Sequence, residues 1–238
     1  MAKKSAHAVT GRITTGIIPR TLVAKTIDFV QHQLPIWRDH PNRPAADNEE
    51  ELNSQLCKYL NVATRLDNFP MAHFSHEERQ TGRRRVDMAA QPTTPVVIAG
   101  RSYSEFEPFL VMEGKRLPAP TADREREYVT GGPALSGEIQ RFKLGLHGAT
   151  LSHAVVIAYV QSRQCSTWLT LVNSWLAELS VDRSSPDWTD SESLQKVFDH
   201  RQSRLLRCVS QHCRIAATTP DIELTHLWIE MLAEHSSP

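Results

Sequence analysis

The segment HAVVIAYV, residues 153–160, constrains the fold more than any other part of the chain. A short apolar run of this length is what a buried strand shows, and it falls far short of the roughly 18 apolar residues that a membrane helix needs. Segments of helical periodicity surround it. TLVAKTIDFVQHQL places Val23, Ile27, Val30 and Leu34 at helical spacing, and Pro35 is expected to end that helix. RDHPNRPAADN reads as a loop that delivers Asp47 or Asn48 as the N-cap of NEEELNSQLCKYLN, where Leu52, Leu56, Tyr59 and Leu60 share a stripe. HFSHEERQ and RRRVDMAA, joined by Thr81-Gly82, read as a hairpin. EPFLVMEGKRL reads as a third strand, and VVIA in the long connection before it is either a further short strand or loop.

Downstream, SGEIQRFKLGLHG reads as helical. CSTWLTLVNSWLAEL is an amphipathic helix with Trp168, Leu171, Val172, Trp175 and Leu179 inward. LQKVFD reads as the end of a further helix, and RLLRCVSQHCRI and IELTHLWIEML read as strands. The order implies an α/β fold, bordering on α+β, with a small mixed sheet flanked by helices. The expected organisation is an N-terminal extension and helix over residues 1–46 and one domain over 47–238.

Lys plus Arg equals Asp plus Glu at 27 each, so no global positive field marks the chain for nucleic acid or an anionic membrane, and any such partner must meet a local patch. The start MAKKSAHAVTGRITTG lacks the apolar core of a secretory signal, and the four scattered cysteines suit reduced thiols, so the expected location is the cytoplasm. Cys208, His212 and Cys213 match no common zinc spacing. Gly131-Gly132 has no P-loop lysine after it, and no serine sits in a nucleophile elbow. His153, His212 and His226 read first as structural histidines.

Charge chemistry concentrates at the end of the third strand. A period of two puts Phe109, Val111, Glu113 and Lys115 on one face, and Leu110, Met112 and Gly114 on the other. A carboxylate and an ammonium so placed can hold a divalent cation and a water together, provided that a second oxygen ligand arrives from elsewhere. Asp87, on the hairpin strand that the fold brings alongside, is that ligand. In the helix beginning at residue 49, the apolar stripe centres at about 25° from Leu52 and Glu49 falls at about 60°, so Glu49 is the inward acid of the three. It is either an outer metal contact or a first-turn acid stabilised by the helix dipole. Arg141 is either a fork for phosphate oxygens or a solvated arginine. Arg83, Arg84 and Arg85 either grip a nucleic-acid backbone or form a solvated hairpin edge, with alternation sending Arg83 and Arg85 to the Asp87 side.

Glu49 on a helix, Asp87 on a strand and Glu113-Gly114-Lys115 on a later strand resemble the PD-(D/E)XK, or restriction-endonuclease-like, nuclease superfamily. EGKRLP, then EIQRFKLGLHG before HAVVIAYV, is similar to uncharacterised bacterial members. Val86 stands where the name-giving proline would be. The resemblance implies a restriction-endonuclease-like core and Mg²⁺- or Mn²⁺-dependent hydrolysis of DNA phosphodiesters, in defence against foreign DNA or in repair. It implies Asp87, Glu113, the Gly114 carbonyl and Glu49 at the metal, Lys115 orienting or activating water, and Arg141, Gln140 and Arg85 at the substrate phosphate. DNA is the implied partner, with an ATPase or other recognition subunit beside it. The balanced charge leaves a second expectation open, an inactive nucleic-acid-binding or assembly subunit of a multi-protein defence complex.

Overall fold

The computed structural model describes residues 19–80, 84–182, 187–215 and 221–232. The helices are α1 (Pro19–Arg38), α2 (Glu49–Leu66), α3 (Glu138–Lys143) and α4 (Cys165–Val181). The strands are β1 (Ala72–Arg79), β2 (Arg85–Pro92), β3 (Val96–Ile98), β4 (Arg101–Tyr103), β5 (Leu110–Leu117), β6 (His153–Val160), β7 (Gln195–His200), β8 (Leu205–His212) and β9 (Ile222–Glu230). A mixed α/β fold results, with seven strands in one sheet of order β1-β2-β5-β6-β9-β8-β7. β5, β6 and β9 run parallel at its centre, and antiparallel pairs complete both sides. No described helix is long and apolar enough to cross a membrane.

The apolar run holds the middle of the sheet because helices cover both its faces. From Ala154 to Val160 every side chain of β6 is fully buried, and burial of each large apolar one contributes about 1.5–3 kcal/mol. Tyr159 faces the layer made by α1 and α2, meeting the Trp37 ring at 5.8 Å and donating to Asn53 Oδ1 at 2.8 Å. Trp228 and His226 face the opposite layer, where both meet Tyr128. Asn61 of α2 clamps edge strand β1, donating to Phe74 O at 2.7 Å and accepting from Phe74 N at 2.9 Å. The described part of the expected N-terminal extension, α1, shares this core through Leu22, Val23, Ile27, Val30, Leu34 and Trp37.

Local expectations meet three corrections. α1 does not stop at Pro35 but continues to Arg38. Its last turn is fixed from outside, by burial of Trp37 and by the Arg38 guanidinium, which donates to Ser203 O at 2.7 Å and Glu230 O at 3.3 Å. SGEIQRFKLGLHG is helical only over α3, because Gly145 and Gly148 take positive φ and turn the chain. LQKVFD is no helix; it forms β7, an edge strand paired with β8 and exposed along its whole length. In α4, Trp168, Val172 and Trp175 are buried as expected, while Leu171 and Leu179 are only partly so. VVI forms β3, and the pairing of β1 with β2 realises the hairpin, although Thr81, Gly82 and Arg83 lie outside the described residues.

A continuous polar chain runs through the interior between the sheet and the second layer. Trp228 Nε1 donates to Tyr128 Oη (2.7 Å), which meets His226 Nδ1 (2.7 Å). His226 Nε2 meets Ser210 Oγ (2.8 Å), and Ser210 Oγ meets His212 Nε2 (2.7 Å). His212 Nδ1 then meets Glu192 Oε2 (3.1 Å), whose other oxygen takes a hydrogen bond from Lys143 of α3. An indole can only donate and a carboxylate can accept both donors, so one assignment of protons satisfies every link. The tyrosine hydroxyl donates to His226, His226 carries its proton on Nε2, and His212 carries its own on Nδ1. Both imidazoles are therefore neutral, and burial lowers the pKa of each.

Candidate metal centre

β5 carries Glu113, Gly114 and Lys115 in its middle, where they pair with Val156, Ile157 and Ala158 of β6. Its ladder with β2 holds at Met88↔Met112, so the segment between Asp87 and Glu113 does not keep their strands apart; residues 93–109 are taken up largely by the β3–β4 hairpin. Just past that ladder the Asp87 carboxylate replaces a backbone acceptor, taking the Gly114 N–H at 2.8 Å. The same Asp87 carboxylate stands near enough to Glu113 to repel its charge. Gly114 faces the other way, toward α2. A Cβ there would stand 1.9 Å from Asn53 Oδ1, so only glycine permits this approach of helix and strand.

α2 begins at a cap that the sequence places correctly, with Asn48 Oδ1 accepting from Glu51 N at 2.9 Å. That start aims Glu49 round the end of the sheet. Its Oε1 takes Lys115 Nζ at 2.7 Å and its Oε2 takes Arg116 N at 3.2 Å, while Glu50 and Glu51 remain in solvent. Lys115 also reaches Glu138 Oε1 of α3 at 3.2 Å, and Arg141 meets that same oxygen at 3.1 Å. A cavity of about 170 Å³ lined by Glu49, Lys115, Arg116, Arg124 and Glu127 adjoins the group.

Glu138 and His147 complete the centre. His147 lies in the turn after α3, its Nδ1 2.6 Å from Glu113 Oε1. That approach lacks hydrogen-bond geometry: Glu113 Oε1, His147 Nδ1 and Glu138 Oε2 are all buried without a hydrogen-bond partner among the described residues. Ligand atoms of the three residues lie within 4.8 Å of one another.

The charges explain each titration. Burial, then repulsion from Asp87 and Glu138, raises the Glu113 carboxyl well above its ordinary range. Burial pushes Glu138 up to about 7 against the opposing pull of Lys115 and Arg141. Burial alone would discharge Lys115, but Glu138 and Glu49 more than offset it and hold the ammonium protonated. His147 is lowered to about 3 by burial and by the nearby Arg141, Arg84 and Lys115. Carboxyl groups thus crowd a buried point from four elements or turns, with too little positive charge among them.

Asp87, Glu113, Lys115 and Glu49 are therefore brought together, as is Arg141. Arg85 and Gln140 are not. Arg85 forms an exposed ion pair with Glu77 across the hairpin. Gln140 accepts from Gly131 N and donates to Gly132 O, so its amide closes the preceding turn. Arg84, expected to point away, is the arginine of that cluster whose charge reaches His147.

Sequence reasoning missed Glu138 and His147. The signal for Glu138 is its helical angle, about 40° from Phe142 on the sheet-facing side. For His147 it is the flanking pair Gly145 and Gly148, which mark a turn and not a helix end. No protein-family model, curated protein or solved structure matches the chain.

Proposed function

We propose that the chain is a divalent-metal-dependent nuclease of the PD-(D/E)XK superfamily that hydrolyses DNA phosphodiester bonds, in bacterial defence against foreign DNA or in repair. The observation that carries this reading is the convergence of Asp87, Glu113, Lys115 and Glu49 on one point from β2, β5 and α2. The residues fit a cation in that Glu113 Oε1 stands there buried without a hydrogen-bond partner among the described residues. Asp87, Glu113 and the Gly114 carbonyl would hold Mg²⁺ or Mn²⁺, with Glu49 outside them. When bound, the ion supplies charge stabilisation at the transferring phosphoryl group and the leaving oxygen.

The chain's own groups have separable tasks. Glu138 and Glu49 hold Lys115 protonated in the metal-free chain, an ammonium that would orient a water or a phosphate oxygen as a donor. Glu49 and Glu138 fix its ammonium from two sides. Arg141, partly exposed beside them, is positioned to fork onto a phosphate, with Arg84 adding charge. Gln140 and Arg85 have no part, given their engagements elsewhere. The neutral overall charge favours a partner, an ATPase or a recognition subunit, to bring DNA to so small a basic surface. It also favours the second reading, a binding or assembly subunit without activity.

Incubation of the purified chain with DNA and Mg²⁺ or Mn²⁺ separates the two. Asp87→Asn and Lys115→Ala are each expected to reduce cleavage by on the order of 10²–10³, as loss of one preorganised electrostatic group does, with circular dichroism unchanged. Cleavage that survives both substitutions would remove the site.

A further inference from the structure

We infer that Glu138 and His147 join Glu113 as ligands of one ion at the proposed centre, and that His147 Nδ1, as a nitrogen ligand, makes that ion a first-row divalent transition metal in preference to Mg²⁺. The inference rests on the proposed nuclease reading for what the metal does, and its test separates the two.

Three buried atoms carry the argument. Glu113, Glu138 and His147 have relative exposures of 2%, 0% and 2%, and each presents one atom without a partner among the described residues to the same small volume. Buried polar atoms are nearly always satisfied, so three orphans aimed at one point mark a missing shared partner. All three atoms are ligand donors, and none needs to be a hydrogen-bond donor for the arrangement to be satisfied by a cation. The other end of one of the groups is already fixed. Glu138 Oε1 is held by Lys115 and Arg141, which leaves Oε2 for the centre. Two ligand atoms on one ion at about 2.1 Å stand about 3 Å apart at right angles and about 4.2 Å when opposed, so atoms that lie within 4.8 Å of one another, with His147 Nδ1 2.6 Å from Glu113 Oε1, reach these separations by small side-chain rotations.

The histidine is built in. Gly145 and Gly148, with φ of 64° and 56°, bracket its turn. Buried Arg214 donates to Phe142 O (2.7 Å), Gly148 O (2.8 Å) and Leu151 O (3.1 Å), and Gln80 accepts from Gly148 N (3.0 Å). The ring itself stands edge-on to Phe142, with centroids 6.0 Å apart. These contacts fix the backbone of the turn that carries the imidazole. Magnesium takes oxygen ligands and retains its waters, whereas an imidazole beside carboxylates suits the first-row metals.

The test uses the full chain with Mn²⁺ and Mg²⁺ alone, by calorimetric titration and by electron spin-echo spectroscopy of bound Mn²⁺. Expected are Mn²⁺ affinity at least tenfold above that for Mg²⁺ and nitrogen modulation of the Mn²⁺ signal. His147→Ala is expected to abolish the modulation and the tenfold preference, while Glu138→Gln weakens binding of both ions. The wild-type spectrum decides the matter even if a variant fails to fold. Bound Mn²⁺ without nitrogen coupling, equal affinity for the two ions, or no Mn²⁺ binding at millimolar concentration overturns the inference. Wild-type protein that cleaves DNA with Mg²⁺ but shows no nitrogen coupling overturns it and leaves the nuclease reading standing. Nitrogen-coupled Mn²⁺ without cleavage upholds it and overturns the nuclease reading.

Discussion

Two polar clusters are buried against the same face of the sheet, and α3 contributes to both, Glu138 to one and Lys143 to the other. In the chain from Trp228 to Lys143 every donor meets an acceptor, and one proton assignment suffices. In the group around Glu113, three buried atoms have no hydrogen-bond partner among the described residues and the carboxyl groups repel one another. Residue types and burial are alike; satisfaction is not. A closed network specifies packing, while an open one is a place where something else must bind.

The largest effect that would sharpen this contrast comes from removing one charge from each cluster. Lys143→Met leaves Glu192 buried at 1% exposure with one partner fewer, and is expected to cost about 3–5 kcal/mol in urea denaturation. Glu113→Gln relieves a repulsion and is expected to leave the metal-free chain within about 1 kcal/mol of wild type, or more stable. Equal losses in both variants would break the comparison. Next, Mn²⁺ at a hundred times its dissociation constant is expected to stabilise the wild-type chain by about 2.7 kcal/mol, an increment that a chelator removes and that Lys143→Met retains.

Acid and base should act on the buried histidines and the buried carboxyl groups in opposite directions. His212 and His226 have folded pKa values below their ordinary 6.5, so the unfolded chain binds more protons below that pH. Their contribution is therefore present above 6.5 and lost as pH falls. Glu192 and Ser210 face His212, and Tyr128 and Ser210 face His226, with Lys143 beyond them. Glu138, raised to about 7, gives a contribution that is present below its ordinary 4.5 and lost as pH rises through 7. His147, lowered to about 3, adds a limb of the same sign as His212 and His226, and the raised Glu113 one of the same sign as Glu138, so urea midpoints of the metal-free chain are expected to rise from pH 5 toward 6.5, where three histidines oppose two carboxyl groups, and to fall from there toward 8.5. A midpoint that rises steadily into acid would remove the neutral-histidine assignment. The smallest effect belongs to the exposed Arg85–Glu77 pair, where Arg85→Ala is expected to change stability by about 0.5 kcal/mol or less and cleavage not at all.

What could be read from sequence follows from how each element is stabilised. β6 and β9 are buried on both faces, so their apolar runs were sufficient signals, and Asn48 is a cap whose chemistry is local. β7 has no buried face and therefore no periodicity to read; its strand geometry comes from β8. Pro35 broke the local rule because Trp37 and Arg38 are anchored by distant residues. At the site, alternation alone placed Glu113 and Lys115 together, and the helical angle singled out Glu49. His147 was invisible because its position depends on a turn held by Arg214, which lies far along the chain just after β8 and carries no local sign of that job.

Gly114 has a wider meaning than its fit against Asn53. The spacing between α2 and β5 is set by a missing methyl group, so the distance from Glu49 to Lys115 is gauged by an atom that is not there. Adding it, as Gly114→Ala would, pries apart two elements without altering a single charge. The protein thus contains its own control: a variant with every acidic and basic group in place, the same titration chemistry, and the wrong clearance.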